Sequence, residues 1–168
     1  MCIRDRLQLE HEYVRCDRTK VREILLNVVS NSIKYTPEGG SVSVRIQEEP
    51  CKKEGWVSYR FEITDTGIGM SEEYLPHIFE EFTRERTSTE SKVTGTGLGL
   101  PIVKALTELM DGSIEVESQV GAGTKIIIRL PFALADGTGA GLKLNGEQGA
   151  LCDIAPTLLA ALGMESPK

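Results

Sequence analysis

Residues 21–37 read VREILLNVVSNSIKYTP, and the rest of the chain is parsed from this stretch. Val21, Ile24, Leu25, Val28, Val29 and Ile33 recur at three- and four-residue spacing, which predicts a helix over 18–35 with one continuous apolar face. Asp17 stands where an N-cap belongs, its carboxylate able to accept from the orphan N–H groups of the first turn. Pro37 and Gly39-Gly40 end the helix. Asn27 and Asn31 lie four residues apart and Lys34 three further on, so all three share a stripe beside the apolar face.

Working outward, 41–46 and 56–64 are β-prone, and the charged segment 47–55 between them reads as the loop of a hairpin. Upstream, 7–14 predicts a short edge strand closed by Cys16-Asp17. Downstream, 66–70 is a glycine-rich loop and Ser71-Glu72-Glu73 opens a short helix. Residues 80–96 are polar without periodicity, a long loop of the functional or disordered kind. Helical spacing returns over 98–110 through Ile102, Val103, Leu106, Leu109 and Met110, with Pro101 tolerated in the first turn and Asp111-Gly112 as the stop. A last hairpin joins 113–118 to 124–130 through Gly121-Ala122-Gly123. Antiparallel hairpins with two long amphipathic helices fit an α/β sandwich in which helices cover one sheet face.

The chain has 168 residues, 40% of them hydrophobic, with 19 Lys+Arg against 25 Asp+Glu and a formal charge of −6. That is the make-up of one soluble domain with a real core, and its acidity argues against nucleic acid as a partner. No apolar run approaches the roughly 20 residues of a membrane span, and residues 1–6 lack the apolar centre of a signal peptide, so the polypeptide reads as cytoplasmic. Cysteines at 2, 16, 51 and 152 show no C-x-x-C spacing and read as reduced, without a zinc site or disulfide framework. His11 and His77 read as isolated, with no metal-binding or catalytic cluster. Glycines at 137, 139, 141 and 146, with Gly149 just beyond, give 134–148 the composition of a linker. The apolar run 152–162 could form a short helix.

Chemistry concentrates at three places. On the first helix, a neutral amide oxygen of Asn27 or Asn31 can ligate a hard cation such as Mg²⁺, and the Lys34 ammonium can reach a phosphate. At 65–69, DTGIG follows a strand end, where the Asp65 carboxylate can accept from an exocyclic amine while glycines admit a ligand to the backbone. At 95–99, GTGLG places backbone N–H groups at the positive end of the second helix. It is neither a dinucleotide fingerprint, having no strand before it, nor a P-loop, having no lysine. Taken singly, each has a plainer reading as a solvated helix face, a tight turn or a helix start.

In order and spacing, however, VREILLNVVSNSIKYTP (21–37), DTGIGM (65–70), IFEEF (78–82), GTGLGL (95–100) and GAGT (121–124) resemble the successive boxes of the sensor histidine kinase catalytic domain, of the GHKL ATP-binding superfamily. The resemblance spans residues 7–133 and implies the Bergerat fold, a two-layer α/β sandwich whose mixed, largely antiparallel sheet is covered on one face by helices. It implies ATP and Mg²⁺ as cofactors. It places Asn27 and Asn31 beside Mg²⁺ and the phosphates, Lys34 on phosphate, Tyr35 near adenine and Asp65 on the adenine amino group. Gly67 and Gly69 shape that side, and Thr124 lies near Asp65. Phe79 and Phe82 match a hydrophobic box that packs the lid. Gly95, Thr96, Gly97, Leu98 and Gly99 match its phosphate-side hinge, and 83–94 matches the ATP lid, with Arg84, Arg86 and Lys92 as candidate phosphate contacts.

The same resemblance implies transfer of the γ-phosphate to a histidine on a dimerisation domain, with a response regulator downstream and a homodimeric parent of the membrane-linked or hybrid receptor kind. GHKL hydrolases place a glutamate where Asn27 stands, and an amide cannot take a proton from water. The alternatives are a GHKL ATPase or a nucleotide-binding module without transfer. His11, in a short predicted strand, does not match an acceptor motif and reads as an exposed strand residue. Residues 149–167 resemble the C-terminal segment of cofactor-independent phosphoglycerate mutase without its metal ligands or catalytic serine region. Residues 1–6 read as a non-native leader, and both ends suggest a chimeric frame.

Overall fold

The computed structural model describes residues 2–8 as backbone, and residues 10–11, 14–83 and 96–134 with their side chains. In chain order they form β1 (Cys2–Gln8), β2 (Val14–Arg15), α1 (Arg18–Tyr35), β3 (Ser41–Pro50), β4 (Trp56–Asp65), a 3₁₀ turn (Leu75–His77), α2 (Gly99–Leu109), β5 (Ser113–Gln119) and β6 (Gly123–Leu134). The Asp17 side chain accepts from the Lys20 N–H at 3.1 Å, as an N-cap does. The hydrogen bond and charge of Lys20 hold its carboxyl below the ordinary range. At the other end Thr36 N–H turns back to the Ile33 carbonyl.

The sheet runs β1-β3-β4-β6-β2, with β5 on the outer edge of β6 beside β2. Among the described residues only the β1–β3 pairing is parallel, so the sheet is mixed and largely antiparallel as expected. In central β4 the side chains alternate, and Val57, Tyr59, Phe61, Ile63 and Asp65 all fall on the buried side. They meet Val21, Ile24, Leu25 and Val28 of α1 and Val103 of α2, with Ile126, Ile128, Leu130 and Phe132 of β6 filling the same layer. The opposite face carries ion pairs across the strands, including Arg129 to Glu49 (3.2 Å) and Glu115 (2.7 Å), and Lys125 to Glu117 (3.0 Å). Helices thus cover one face and a charged lattice solvates the other.

Five expectations need correction. The charged segment 47–50 is strand, not loop, because its glutamates find partners on neighbouring elements: Glu49 reaches Arg129, and Glu48 reaches His11 (2.7 Å). The single edge strand at 7–14 is replaced by β1, which begins at Cys2 inside the expected leader, and by the two-residue β2. His11 therefore lies between strands, and neither histidine is isolated, since His77 pairs with Glu80 at 2.7 Å. The helix expected at Ser71 is a turn in which Ser71 accepts from Tyr74 N–H, and Leu75–His77, containing Pro76, follows as 3₁₀. The last strand runs to Leu134, past the expected end at 130, because its final two residues pair with β2. Segments 84–95 and 135–168, with the linker and mutase-like stretch, lie outside the described residues. Among the described residues no helix is long and apolar enough to cross a membrane.

Candidate functional site

A cavity of about 310 Å³ opens between α1, the loop after β4, the first turn of α2 and the start of β6. Its position follows from the β4 alternation. The period-two set that buries Tyr59, Phe61 and Ile63 delivers Asp65 to the same side, at the strand end, where the next partner is a cavity wall instead of a core residue. Asp65 is 6% exposed. Its Oδ1 accepts from the backbone N–H of Gly67 (2.9 Å) and of Thr124 (3.2 Å), and among the described residues no hydrogen bond reaches Oδ2. A buried carboxylate is tolerated when hydrogen bonds satisfy it, and here one oxygen takes the structural load while the other is left for a donor.

The loop after Asp65 lies close to its neighbours. A Cβ on Gly67 would sit 2.7 Å from the Tyr35 carbonyl and 2.8 Å from Asp65 Oδ1. Gly69, at φ +67°, has the Gln119 carbonyl 1.9 Å from where its Cβ would be, so no side chain fits there. Met70 N–H donates to Ser118 Oγ at 2.9 Å. The loop is thereby pinned to the β5–β6 hairpin, and Ile68, Gly69 and Met70 become cavity wall.

Further along α1 lie Asn31 and Asn27, the latter about 12 Å from Tyr35 along the helix axis at 1.5 Å per residue. Asn27 Nδ2 donates to the Glu23 carbonyl at 2.9 Å, which turns Oδ1 toward α2. A Cβ on Gly99 would lie 3.4 Å from that oxygen and 3.3 Å from Asn31 Nδ2, so both amides face the first turn of α2. That turn has no side-chain cap. Pro101 has no N–H to give, and the orphan N–H groups of Gly99 and Leu100 remain for an anion at the positive helix end.

Asn27, Asn31, Lys34, Tyr35, Asp65, Gly69, Thr96, Gly97, Gly99 and Thr124 all line this one cavity. Lys34 Nζ stands 5.3 Å from the centroid of the Tyr35 ring. Gly67 acts behind the wall through its N–H, and Leu98 is the N-cap residue of α2. Phe79 and Phe82 are not among the lining residues: Phe79 is half-buried beneath Lys104 Nζ at 5.2 Å, and Phe82, at φ 61°, is 72% exposed. Gly95, Arg84, Arg86 and Lys92 lie outside the described residues. Sequence reasoning missed the wall residues Ser30, Tyr74, Ile78, Thr83 and Ile126 and the supporting Ser118. Two of these were within reach of it, because hairpin register pairs Ser118 with Thr124, and the period of two carries Thr124 to Ile126.

The family described as histidine kinase-, DNA gyrase B-, and HSP90-like ATPase matches residues 16–134. The chain is 36% identical over 123 residues to the autoinducer 2 sensor kinase/phosphatase LuxQ of Vibrio cholerae, covering 73% of this chain and 14% of that protein. It is 38% identical over 122 residues to the histidine protein kinase DivJ of Caulobacter vibrioides, covering 73% and 19% respectively. The chain therefore spans less than a fifth of either relative. Among solved structures, the mycobacterial sensor histidine kinase MprB is similar at 29% identity and TM-score 0.60, over 79% of this chain and 84% of that one. Full-length ShkA in complex with AMPPNP is similar at 31% identity and TM-score 0.60, over 80% and 27%.

Proposed function

Because the chain belongs to the histidine kinase-, DNA gyrase B-, and HSP90-like ATPase family, we propose that this nucleotide site is the ATP-binding catalytic domain of a two-component sensor kinase. In that reading it delivers the γ-phosphate to a histidine on a separate dimerisation domain. The purine end is at Asp65, whose Oδ2 accepts from an exocyclic amine. The phosphate end is at the uncapped first turn of α2, with Lys34 as the neighbouring cation. That a structural relative is recorded with AMPPNP supports the nucleotide. Mg²⁺ fits the donor set, since Asn27 offers a neutral hard oxygen turned toward the same turn and Asn31 a second amide beside it. When bound, the ion would neutralise phosphate charge, as in other phosphoryl transfers.

One observation carries the choice of transfer over hydrolysis. Asp65 is the only carboxylate among the described residues lining the cavity, and it lies at the purine end. The phosphate end has amides, which cannot accept a proton from water. The acceptor must then bring its own nucleophile, and a histidine of a partner domain does so. The parent is in this reading a homodimer working with a response regulator, with this domain in the cytoplasm where ATP is held. Incubation with γ-labelled ATP and a cognate histidine-bearing dimerisation domain should label the histidine. Replacing both Asn27 and Asn31 by alanine should slow labelling by about 100-fold, the scale of losing an electrostatic partner of the transferring group. Release of free phosphate at the same rate without labelled protein would establish an ATPase. Nucleotide binding with neither outcome would leave a binding module.

A further inference from the structure

Ser118 does not line the cavity, yet its hydroxyl fixes the chemistry of one wall. A serine hydroxyl has one proton and two lone pairs. The Gly123 carbonyl, 2.9 Å away, can only accept, so it takes that proton. The Met70 N–H, also at 2.9 Å, can only donate, so it occupies one lone pair. The third neighbour is Thr124 Oγ1 at 2.9 Å. With the serine proton already committed, the proton in this contact belongs to Thr124. Thr124 is thus held as a donor toward Ser118 and turns lone pairs toward the cavity. Beside it stands Asp65, whose Oδ1 takes the Thr124 and Gly67 N–H groups and whose Oδ2 is an acceptor. The two side chains at this end together present acceptors and no donor.

We propose that Ser118 is a positioning residue that sets base specificity, by locking the Thr124 hydroxyl so that the pocket selects a purine bearing a 6-amino donor over one bearing a 6-oxo acceptor. The inference rests on the nucleotide reading of the site. A 6-oxo group would face a carboxylate and an outward lone pair. Without Ser118 Oγ, the Thr124 hydroxyl can rotate to another staggered position and donate to that oxygen.

The probe pair is ATP and inosine triphosphate, which differ at the 6 position and the neighbouring ring nitrogen, titrated against the whole chain. The native protein should prefer ATP. Ser118→Ala should cut the ratio of the two dissociation constants by about tenfold, mainly by tightening inosine triphosphate, the scale of one hydrogen bond. Ser118→Thr, which keeps the hydroxyl, should retain the native ratio. In a Thr124→Val background Ser118→Ala should leave the ratio unchanged. Equal weakening of both nucleotides by Ser118→Ala would overturn the inference, as Ser118 would then only hold the Met70 loop. So would an undiminished effect of Ser118→Ala in the valine background. If the native chain bound neither nucleotide, the site reading itself would fail with it.

Discussion

Asp65 commits one of its two oxygens to the fold and leaves the other facing the cavity end of the strand without a hydrogen bond among the described residues. Oδ1 closes the Gly67 turn and holds the start of β6 through Thr124. Asp65→Asn keeps an acceptor for the two backbone N–H groups but replaces Oδ2 by a donor. Nucleotide affinity should then fall about 10- to 100-fold, the worth of a hydrogen bond to a charged acceptor, while the thermal midpoint moves by only a few degrees. A fluorescent-nucleotide titration run beside a melting curve measures both, and unchanged affinity would remove Oδ2 from the ligand's contacts. Residue-scale reasoning from sequence found Asp65, because a carboxylate at a strand end followed by two glycines already restricts what can approach it. It did not place Phe82. Side-chain type marks that residue as a packing group, but its positive φ is a backbone property that composition does not carry.

At the scale of elements, α1 serves two purposes with one periodicity. Val21, Ile24, Leu25, Val28 and Val29 bury the helix on the sheet, and Asn27, Asn31 and Lys34 ride the adjacent stripe into the cavity. The hairpin β3–β4 shows a rule overridden. Charges over 47–50 argue for a loop by propensity, yet cross-strand and interloop pairing keeps the strand going. Glu48 is the clearest case. Its Oε2 accepts from the N–H groups of Glu10 and His11, both at 2.9 Å, and Oε1 meets His11 Nδ1 at 2.7 Å. Burial pushes its carboxyl up, but these hydrogen bonds outweigh burial and hold it below the ordinary glutamate range. A depressed folded value means that the contribution is complete above the unfolded value of about 4.3 and is lost as pH falls through the lower folded one. Glu48→Gln should therefore be less stable than the native chain at pH 7, and the difference should shrink toward zero by about pH 3. Urea unfolding at both pH values tests this, and a difference independent of pH would remove the carboxylate's charge as the cause.

For the molecule as a whole, one layer of packing supports both stability and site. Leu25, with 0% exposure, sits against the sheet two residues before Asn27. Leu25→Ala should cost about 2–5 kcal/mol, a large part of the 5–15 kcal/mol typical of a domain. Since the asparagines remain on the same helix, saturating ATP should restore much of the lost melting temperature by mass action. Thermal melts with and without nucleotide would show it, and a variant that folds but gains nothing from ATP would mean that α1 is displaced at the site. The sequence by itself determined both helices, the hairpins, the loop at 66–70 and half of the residues that line the cavity, because periodicity and capping are local and the boxes keep their order along the chain. Only the tertiary structure decided that β1 lies parallel to β3 and that charged 47–50 is strand. It also joined Met70, Ser118, Thr124 and Asp65 into one hydrogen-bonded wall. Those outcomes depend on partners distant in the chain, such as Ser118 from Met70 at 48 residues, Thr124 from Asp65 at 59 and Arg129 from Glu49 at 80, and no local propensity contains them.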